Sequence, residues 1–353
     1  MALSPLLRSR LARCAAIGLL LLLTATSAAA AVSPTAIGSK RTCIYSASSV
    51  STLNAAGEML GVDFNCALVY DDAAQNWAQW DDPWFITDPY SDGNWAQWVQ
   101  ASPGRTMILS IQLIPTDLDG TSWLGRGADG AYDKYAKKLA RNLVAAGLGS
   151  SVIRLAPEAN GTWEPDSIGN TPASDANWAR FWRNTAKAMR SVPGSDFSFD
   201  WCVNAAVRNI PLASYYPGNA VVDEIGIDLY DEGLPSTVTD RWSALSNEPG
   251  SLGTVLAFAQ AHGKPISLPE WGVSPTTVQE GGGDDPGYVQ GIAAVVANDN
   301  VAYQSYFFNG SWAQALASYP SSLAAYQTAF ATGTATGTPT EALDSLSPPL
   351  PLL

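Results

Sequence analysis

Histidine is nearly absent from this chain of 353 residues, since His262 is the only one. A single histidine cannot build a multi-histidine metal centre. A Ser-His-Asp hydrolase would depend wholly on His262, and the G-x-S-x-G motif of many such enzymes is missing. His262 follows a helical pattern and precedes Gly263, which predicts a place at a helix end. The shortage of histidine therefore argues against zinc enzymes and serine hydrolases, and we expect no metal and no other cofactor.

Cysteine is also scarce, with four in the chain. Cys14 lies in the N-terminal segment, which leaves Cys43, Cys66 and Cys202. Cys43 and Cys66 fall on the first two predicted strands, and in an oxidising compartment they are candidates for a disulfide. The alternative is three buried thiols. No spacing among the cysteines is typical of a zinc site.

Long apolar runs are missing outside the first 31 residues. There, Arg8, Arg10 and Arg13 precede an apolar run over 15–25, and the small residues of 27–31 follow it. This order is typical of a secretory signal peptide spanning Met1–Ala31. The alternative, a membrane anchor, is disfavoured because the run is short for a bilayer. We expect a secreted, extracellular protein with no membrane partner.

Charged residues are few, at 14% of the chain, and acidic residues dominate, giving a net charge of −13. Without the three arginines of Met1–Ala31, the remaining chain has a net charge of −16. Such a surface repels nucleic acid and anionic lipid. We therefore expect no nucleic-acid partner, and a neutral substrate fits the charge.

Strand and helix patterns alternate eight times along the chain. The predicted strands are Arg41–Ser46, Asn65–Tyr70, Thr106–Ile114, Ser151–Glu158, Phe197–Ala205, Glu224–Tyr230, Pro265–Glu270 and Val301–Phe308. The predicted helices include Ala131–Leu148, Asp175–Ser191, Gly253–His262 and Pro286–Val296.

Eight strand–helix units in about 300 residues predict an α/β fold of the (β/α)8 TIM-barrel type. A doubly wound open sheet is the alternative, but no Gly-rich phosphate loop follows the first strand. We expect one domain over 32–332. The Gly/Thr/Pro-rich stretch over 333–353 predicts a disordered tail.

Two predicted strands end in a glutamate. In SVIRLAPEANGTWEPDS, the alternation of side chains along a strand would place Arg154 and Glu158 on one face, with Glu158 last. In PISLPEWGV, Glu270 ends the seventh strand in the same way. The active site of a TIM barrel lies at the carboxyl ends of its strands. Two carboxyl groups there, with one acting as acid/base and the other as nucleophile, are what a retaining glycosidase requires. The alternative is a pair of ordinary surface acids.

Tryptophan is abundant, with 13 in the chain. Indoles stack on the apolar faces of sugars, although most buried tryptophans only fill a core. Trp178 and Trp182 have the spacing of a helix core face, which predicts packing. Trp201 is compatible with either role. Five more follow the second strand, some of which are expected to line a cleft: Trp77, Trp80, Trp84, Trp95 and Trp98.

The two motifs resemble those of glycoside hydrolase family 26, in the clan of (β/α)8 retaining glycosidases. The matching residues are Arg154, Glu158, Asn160, Gly161 and Trp163 in the first motif and Pro265, Glu270 and Gly272 in the second. The resemblance runs from about Ile37 to Phe330. It departs from the family at Pro157, where a histidine usually precedes the acid/base.

The resemblance implies that Glu158 is the acid/base and Glu270 the nucleophile. It also implies substrate-binding roles for a further set, in which Tyr230 lies beside the nucleophile, Asp228 binds a sugar hydroxyl, and Trp163 and Trp312 stack on sugars. That set is Arg154, Asn160, Trp163, Asn204, Asp228, Tyr230 and Trp312. Since Pro157 lacks the polar group expected there, Asn204 or Arg154 would have to supply the contact near the sugar 2-hydroxyl.

These features predict a monomeric, secreted endo-acting hydrolase of a β-linked polysaccharide, with β-1,4-mannan, the main substrate of the family, first. A β-1,3/1,4-glucanase or xylanase of the same fold is the alternative within this class. A barrel that binds carbohydrate without catalysis is the alternative from a different class. The polysaccharide or oligosaccharide substrate is the only partner expected.

Overall fold

The computed structural model describes residues 41–71, 74–87, 94–118, 122–169, 171–207 and 211–346. The predicted signal peptide, Met1–Ala31, lies outside the described residues. Within them, no helix is both long enough and apolar enough to cross a membrane.

Eight parallel strands form a closed barrel in chain order, so that the last strand pairs with the first. They are β1 Arg41–Tyr45, β2 Cys66–Tyr70, β3 Thr106–Ile111, β4 Val152–Leu155, β5 Ser198–Asn204, β6 Glu224–Asp231, β7 Ile266–Val273 and β8 Val301–Phe307. The predicted TIM barrel is confirmed, and each predicted strand overlaps an observed one.

Helices follow every strand and surround the barrel. In order they are α1 Val50–Leu60, α2 Trp77–Trp80, α3 Trp84–Thr87, α4 Trp95–Gln100, α5 Trp123–Ala128, α6 Asp133–Ala145, α7 Pro172–Arg190, α8 Leu212–Tyr215, α9 Arg241–Asn247, α10 Leu252–His262, α11 Pro286–Asn298, α12 Gly310–Ser318, α13 Pro320–Phe330 and α14 Pro339–Asp344.

The helix ends follow local chemistry. Thr171 and Ser174 form a capping box at the start of α7, with Pro172 in the first turn, where its missing N–H leaves no bond unmade. His262 is the last residue of α10, and the left-handed Gly263 ends that helix, as the sequence predicts.

The large aromatic side chains lie mainly between the strands and the helices. Trp178 and Trp182 are fully buried, which confirms the predicted packing role. Trp201 is fully buried too, and its ring packs against Tyr215 and Tyr216, so it belongs to this layer as well.

Of the five tryptophans after β2, Trp80, Trp95 and Trp98 are buried. Trp77 stacks on Tyr135, with ring centroids 4.3 Å apart. Trp80, Trp95 and Trp98 belong to the main hydrophobic core, and Trp77 packs against it.

The barrel interior contains a separate apolar cluster near its amino-terminal end. Its members are the buried residues Cys43, Cys66, Leu68, Ile108, Val152 and Tyr303. Cys43 and Cys66 form a disulfide between β1 and β2, with Cα atoms 4.5 Å apart, and Cys202 is a buried free thiol. The predicted bridge is confirmed. It joins two adjacent strands inside the barrel.

The prediction of a disordered tail from 333 is wrong for residues 333–346, which pack on the barrel. The N–H groups of Gly333 and Thr336 donate to the backbone oxygens of Gly61 and Glu58, at 3.0 and 2.9 Å. Helix α14 follows, and its Ala342 is fully buried. The composition is that of a flexible segment, but carbonyl groups at the end of α1 accept hydrogen bonds from its backbone N–H groups and hold it in place. Residues 347–353 lie outside the described residues.

Candidate active site

Glu158 lies beyond β4, which ends at Leu155. The prediction that Glu158 is the last residue of the strand is therefore wrong. Ala156 and Glu158 both have positive φ, 50° and 51°, on either side of Pro157. Residues other than glycine seldom adopt this conformation, which costs on the order of 1 kcal/mol or more each and clusters at functional sites. The backbone N–H of Glu158 donates to the carbonyl of Cys202 on β5, at 3.2 Å, and holds this turn against the barrel.

Each carboxylate oxygen of Glu158 accepts one hydrogen bond. The side-chain amide of Asn204 donates to Oε1, and the indole Nε1 of Trp163 donates to Oε2, both at 2.7 Å. Burial, reinforced by the negative charge of Glu270, raises the pKa of Glu158 from 4.5 to about 7. At neutral pH this carboxyl group is therefore poised both to give and to take a proton.

Glu270 lies within β7, which runs on to Val273, so the prediction that it ends the strand is wrong as well. The register of β7 shifts by one residue against β6 between Ser267 and Trp271 and against β8 between Leu268 and Trp271, as in a β-bulge. Pro269, which has no N–H for the ladder, lies in this irregular stretch. The carboxylate of Glu270 reaches the hydroxyls of Tyr70 and Tyr230, near the carboxyl ends of β2 and β6.

Three side chains donate to the carboxylate of Glu270. Arg154 Nη1 donates to Oε1 at 2.6 Å, and the hydroxyl of Tyr70 donates to the same oxygen. The hydroxyl of Tyr230 donates to Oε2 at 2.7 Å. Burial and the charge of Glu270 hold the pKa of both tyrosines well above the usual value, so that both remain protonated donors.

Arg154 and Asp228 form a fully buried ion pair beneath these carboxylates. Arg154 also donates to Ser110 on β3, at 2.9 Å. Asp228 accepts from the backbone N–H of Glu270 at 3.0 Å. With no exposed surface, Asp228 cannot bind a sugar hydroxyl as predicted. It holds Arg154 and the backbone of Glu270 in place instead.

The two glutamates face each other at the carboxyl end of the barrel. One carboxylate oxygen from each of Glu158, Asp228 and Glu270 lies within 4.8 Å of the others. Retaining glycosidases place their two carboxyl groups about 5–5.5 Å apart, whereas inverting enzymes need about 6.5–9.5 Å. The nearest oxygens of Glu158 and Glu270 are thus closer than the separation that inverting enzymes need.

Asn160 has a different role from the predicted one. Its side-chain amide donates to the carbonyl of Asn204 at 2.8 Å, and its side-chain oxygen accepts from the Asn204 N–H at 3.0 Å. Asn160 is buried, and its two hydrogen bonds hold the end of β5. The Asn204 amide is thereby aimed at Glu158.

Two indoles lie on opposite sides of the barrel mouth, since β4 and β8 are four strands apart in a ring of eight. Trp163, after β4, is 54% exposed and is the one large apolar side chain among the described residues that is exposed. Trp312, after β8, is half-buried, with its ring 5.1 Å from that of Tyr230. The two glutamates therefore lie between Trp163 and Trp312.

Tyr70 is a site residue that the sequence does not reveal. It ends β2, and its partner Glu270 is 200 residues away in the chain. Its ring packs against those of Tyr45 and Phe307, which end β1 and β8. Its position at the carboxyl end of a barrel strand is the only sequence feature that indicates a place in the site.

Comparison of the sequence with protein-family models and with curated proteins finds no match. The structure is similar to solved structures. A family 26 β-mannanase from Bacteroides ovatus is 12% identical, with 86% of this chain and 92% of that chain covered and a TM-score of 0.53. A double mutant of an endo-β-1,4-mannanase from Cellulomonas fimi is 16% identical, with 90% and 77% covered and a TM-score of 0.58.

The likeness extends beyond that family. Fungal β-1,4-galactanases match at 15% identity, with 85% of this chain and 98% of that chain covered and a TM-score of 0.50. At such identities the similarity concerns the fold. The resemblance to glycoside hydrolase family 26 is therefore confirmed at the level of its barrel fold.

Proposed function

We propose that the protein is a secreted, retaining endo-glycoside hydrolase that cleaves a β-linked polysaccharide. The observation that carries this proposal is the pair of facing carboxyl groups, Glu158 and Glu270, whose nearest oxygens lie within 4.8 Å. Their environments differ in the sense that the two roles require. Glu158 has a raised pKa, while Glu270 faces a guanidinium and two phenol donors.

The reaction follows from these surroundings. Glu158, protonated, gives its proton to the departing glycosidic oxygen while a carboxylate oxygen of Glu270 attacks the anomeric carbon. Arg154, Tyr70 and Tyr230 hold the Glu270 carboxylate in place. Glu158 then takes a proton from water as that water attacks the anomeric carbon, which breaks the bond to Glu270 and releases its carboxylate. Configuration at the anomeric carbon is retained.

β-1,4-Mannan is the first candidate substrate, because two of the similar structures are named as mannanases. A mixed-linkage glucan or xylan is the alternative. The acidic balance of the chain and the ion pairs of Arg154 with Asp228 and Glu270 support an uncharged polymer. Secretion is supported by the signal-like start of the chain and by the disulfide.

The test is to incubate the protein with mannan, mixed-linkage glucan and xylan and to measure new reducing ends. Glu158→Ala and Glu270→Ala should each lower the rate by several orders of magnitude. With an aryl β-glycoside whose phenolate leaves without protonation, azide should restore turnover in both, giving a β-glycosyl azide with the first variant and an α-glycosyl azide with the second. Binding of the polymers without release of reducing ends would favour the non-catalytic alternative.

A further inference from the structure

The two indoles can be assigned to the two sides of the bond that is cut, and this step rests on the proposed function. The acid/base protonates the leaving group, so Trp163, bonded to Glu158, lies on the leaving-group side. Trp312 lies across the mouth, against Tyr230, which bonds the nucleophile. The Trp312 side therefore receives the sugars that stay on the enzyme.

Trp312 is held firmly in its position. One part of its ring rests on Gly272 of β7, where an added Cβ would come within 3.2 Å of the indole. The Trp312 and Phe307 rings are nearly perpendicular, with centroids 5.1 Å apart. Its Nε1 donates to the hydroxyl of Ser274 at 3.0 Å. A fixed indole is the usual platform for the apolar face of a sugar ring.

Glu232 is linked to the indole of Trp312 through the hydroxyl of Ser274. Ser274, which is fully buried, accepts from Trp312 and donates its own hydroxyl to Glu232 Oε2 at 2.9 Å. Burial raises the pKa of Glu232, and the Ser274 and Trp312 hydrogen bonds oppose this rise. In contrast, the neighbouring Asp231 is paired with Arg241 at 2.6 Å.

Among the described residues, no lysine, arginine or histidine forms an ion pair with Glu232. A carboxylate has about four acceptor positions, and the serine and the indole leave some of them open. A half-buried carboxylate with open acceptor positions beside a fixed indole is suited to binding sugar hydroxyls.

We propose that Glu232, Ser274 and Trp312 form a subsite for an uncharged sugar unit on the non-leaving side of the bond. The sugar stacks on Trp312 and donates hydroxyl hydrogen bonds to Glu232. A uronate, which carries a carboxylate, is rejected by the like charge of Glu232. The subsite thus selects neutral over acidic β-linked chains.

The test compares two ligands that differ at one carbon. β-1,4-Mannohexaose and β-1,4-hexamannuronate differ in having a hydroxymethyl or a carboxylate group at C6. Binding of each is measured by calorimetry in a Glu158→Gln background, where the ligand is not cut. The variant is Glu232→Gln, and the control is Glu58→Gln, an exposed residue of α1 that changes the net charge equally.

We expect Glu232→Gln to weaken mannohexaose binding about ten- to a hundredfold, as for a lost hydrogen bond to a charged group. The preference over hexamannuronate should shrink by at least about tenfold. The control should leave both values unchanged. If Glu232→Gln matches the control, or if mannohexaose does not bind, the subsite is disproved.

The outcome for the subsite is separate from that for the reaction. Binding that depends on Glu232, with no reducing ends released by the unaltered protein, would refute the hydrolase and keep the subsite. Release of reducing ends with no dependence of binding on Glu232 would do the reverse.

Discussion

The raised pKa of Glu158 predicts that this carboxyl group destabilises the fold at neutral pH. The pKa is 4.5 in an ordinary setting and about 7 in the folded protein. Between these values the folded state binds more protons than the unfolded state, so stability falls as pH rises. The difference of about 2.5 units, at about 1.36 kcal/mol per unit, corresponds to about 3 kcal/mol lost between pH 4.5 and pH 8.

Glu158→Gln removes this titration and keeps nearly the same shape. The variant should therefore gain stability over the unaltered protein as pH rises. At about 2 °C per kcal/mol for a chain of this size, the difference in Tm between the two should grow by about 6 °C from pH 4.5 to pH 8. Any constant effect of the amide on the bonds to Asn204 and Trp163 cancels in this comparison.

The assay is thermal unfolding followed by circular dichroism at several pH values for the unaltered protein, Glu158→Gln and Glu58→Gln. Glu58 is exposed, so its variant should follow the unaltered protein throughout. A difference between Glu158→Gln and the unaltered protein that stays the same at every pH would refute the reasoning. The gain in stability should accompany a loss of activity, as expected where a functional group is held in an unfavourable setting.

Three further predictions concern the same molecule. Trp163→Phe removes a donor to the charged form of Glu158, so the alkaline limb of the kcat/KM profile should move up by about half to one pH unit, while Trp123→Phe should not move it. Thiol counting on the denatured protein without Met1–Ala31 should find one free cysteine, whereas three would exclude the bridge between Cys43 and Cys66. Pro157 offers no polar group for a contact near the sugar 2-hydroxyl, whose orientation distinguishes mannose from glucose. Rates on mannan and mixed-linkage glucan should therefore differ by less than about a thousandfold, roughly 4 kcal/mol. A larger preference would show that another residue, such as Asn204, makes this contact.

The barrel was predictable because its signals are local. Each strand is a short apolar run, each helix has its own spacing and caps, and eight such units have few other ways to bury their faces. The approximate location of Glu158 and Glu270 followed, since the carboxyl ends of parallel strands meet at one end of a barrel. Cys43 and Cys66 followed in the same way from adjacent strands.

The details of the site were decided by tertiary contacts. The turn at Glu158 has positive φ, and the carbonyl of Cys202 on another strand accepts its N–H, a partner that no local pattern encodes. An aspartate is a residue type that often binds sugar hydroxyls. Asp228, however, lies in the barrel interior, where it forms an ion pair with Arg154.

Tyr70 and Glu232 are residues whose roles the sequence does not indicate. Both are polar residues just at or past a strand end, and the sequence marks neither as functional. Tyr70 gains its role from Glu270, and Glu232 gains its setting from Ser274 and Trp312. The sequence thus determined which groups reach the barrel mouth. Only closure of the barrel decided which of them meet, because hydrogen bonds form over about 3 Å between residues that the chain separates by tens to hundreds of positions.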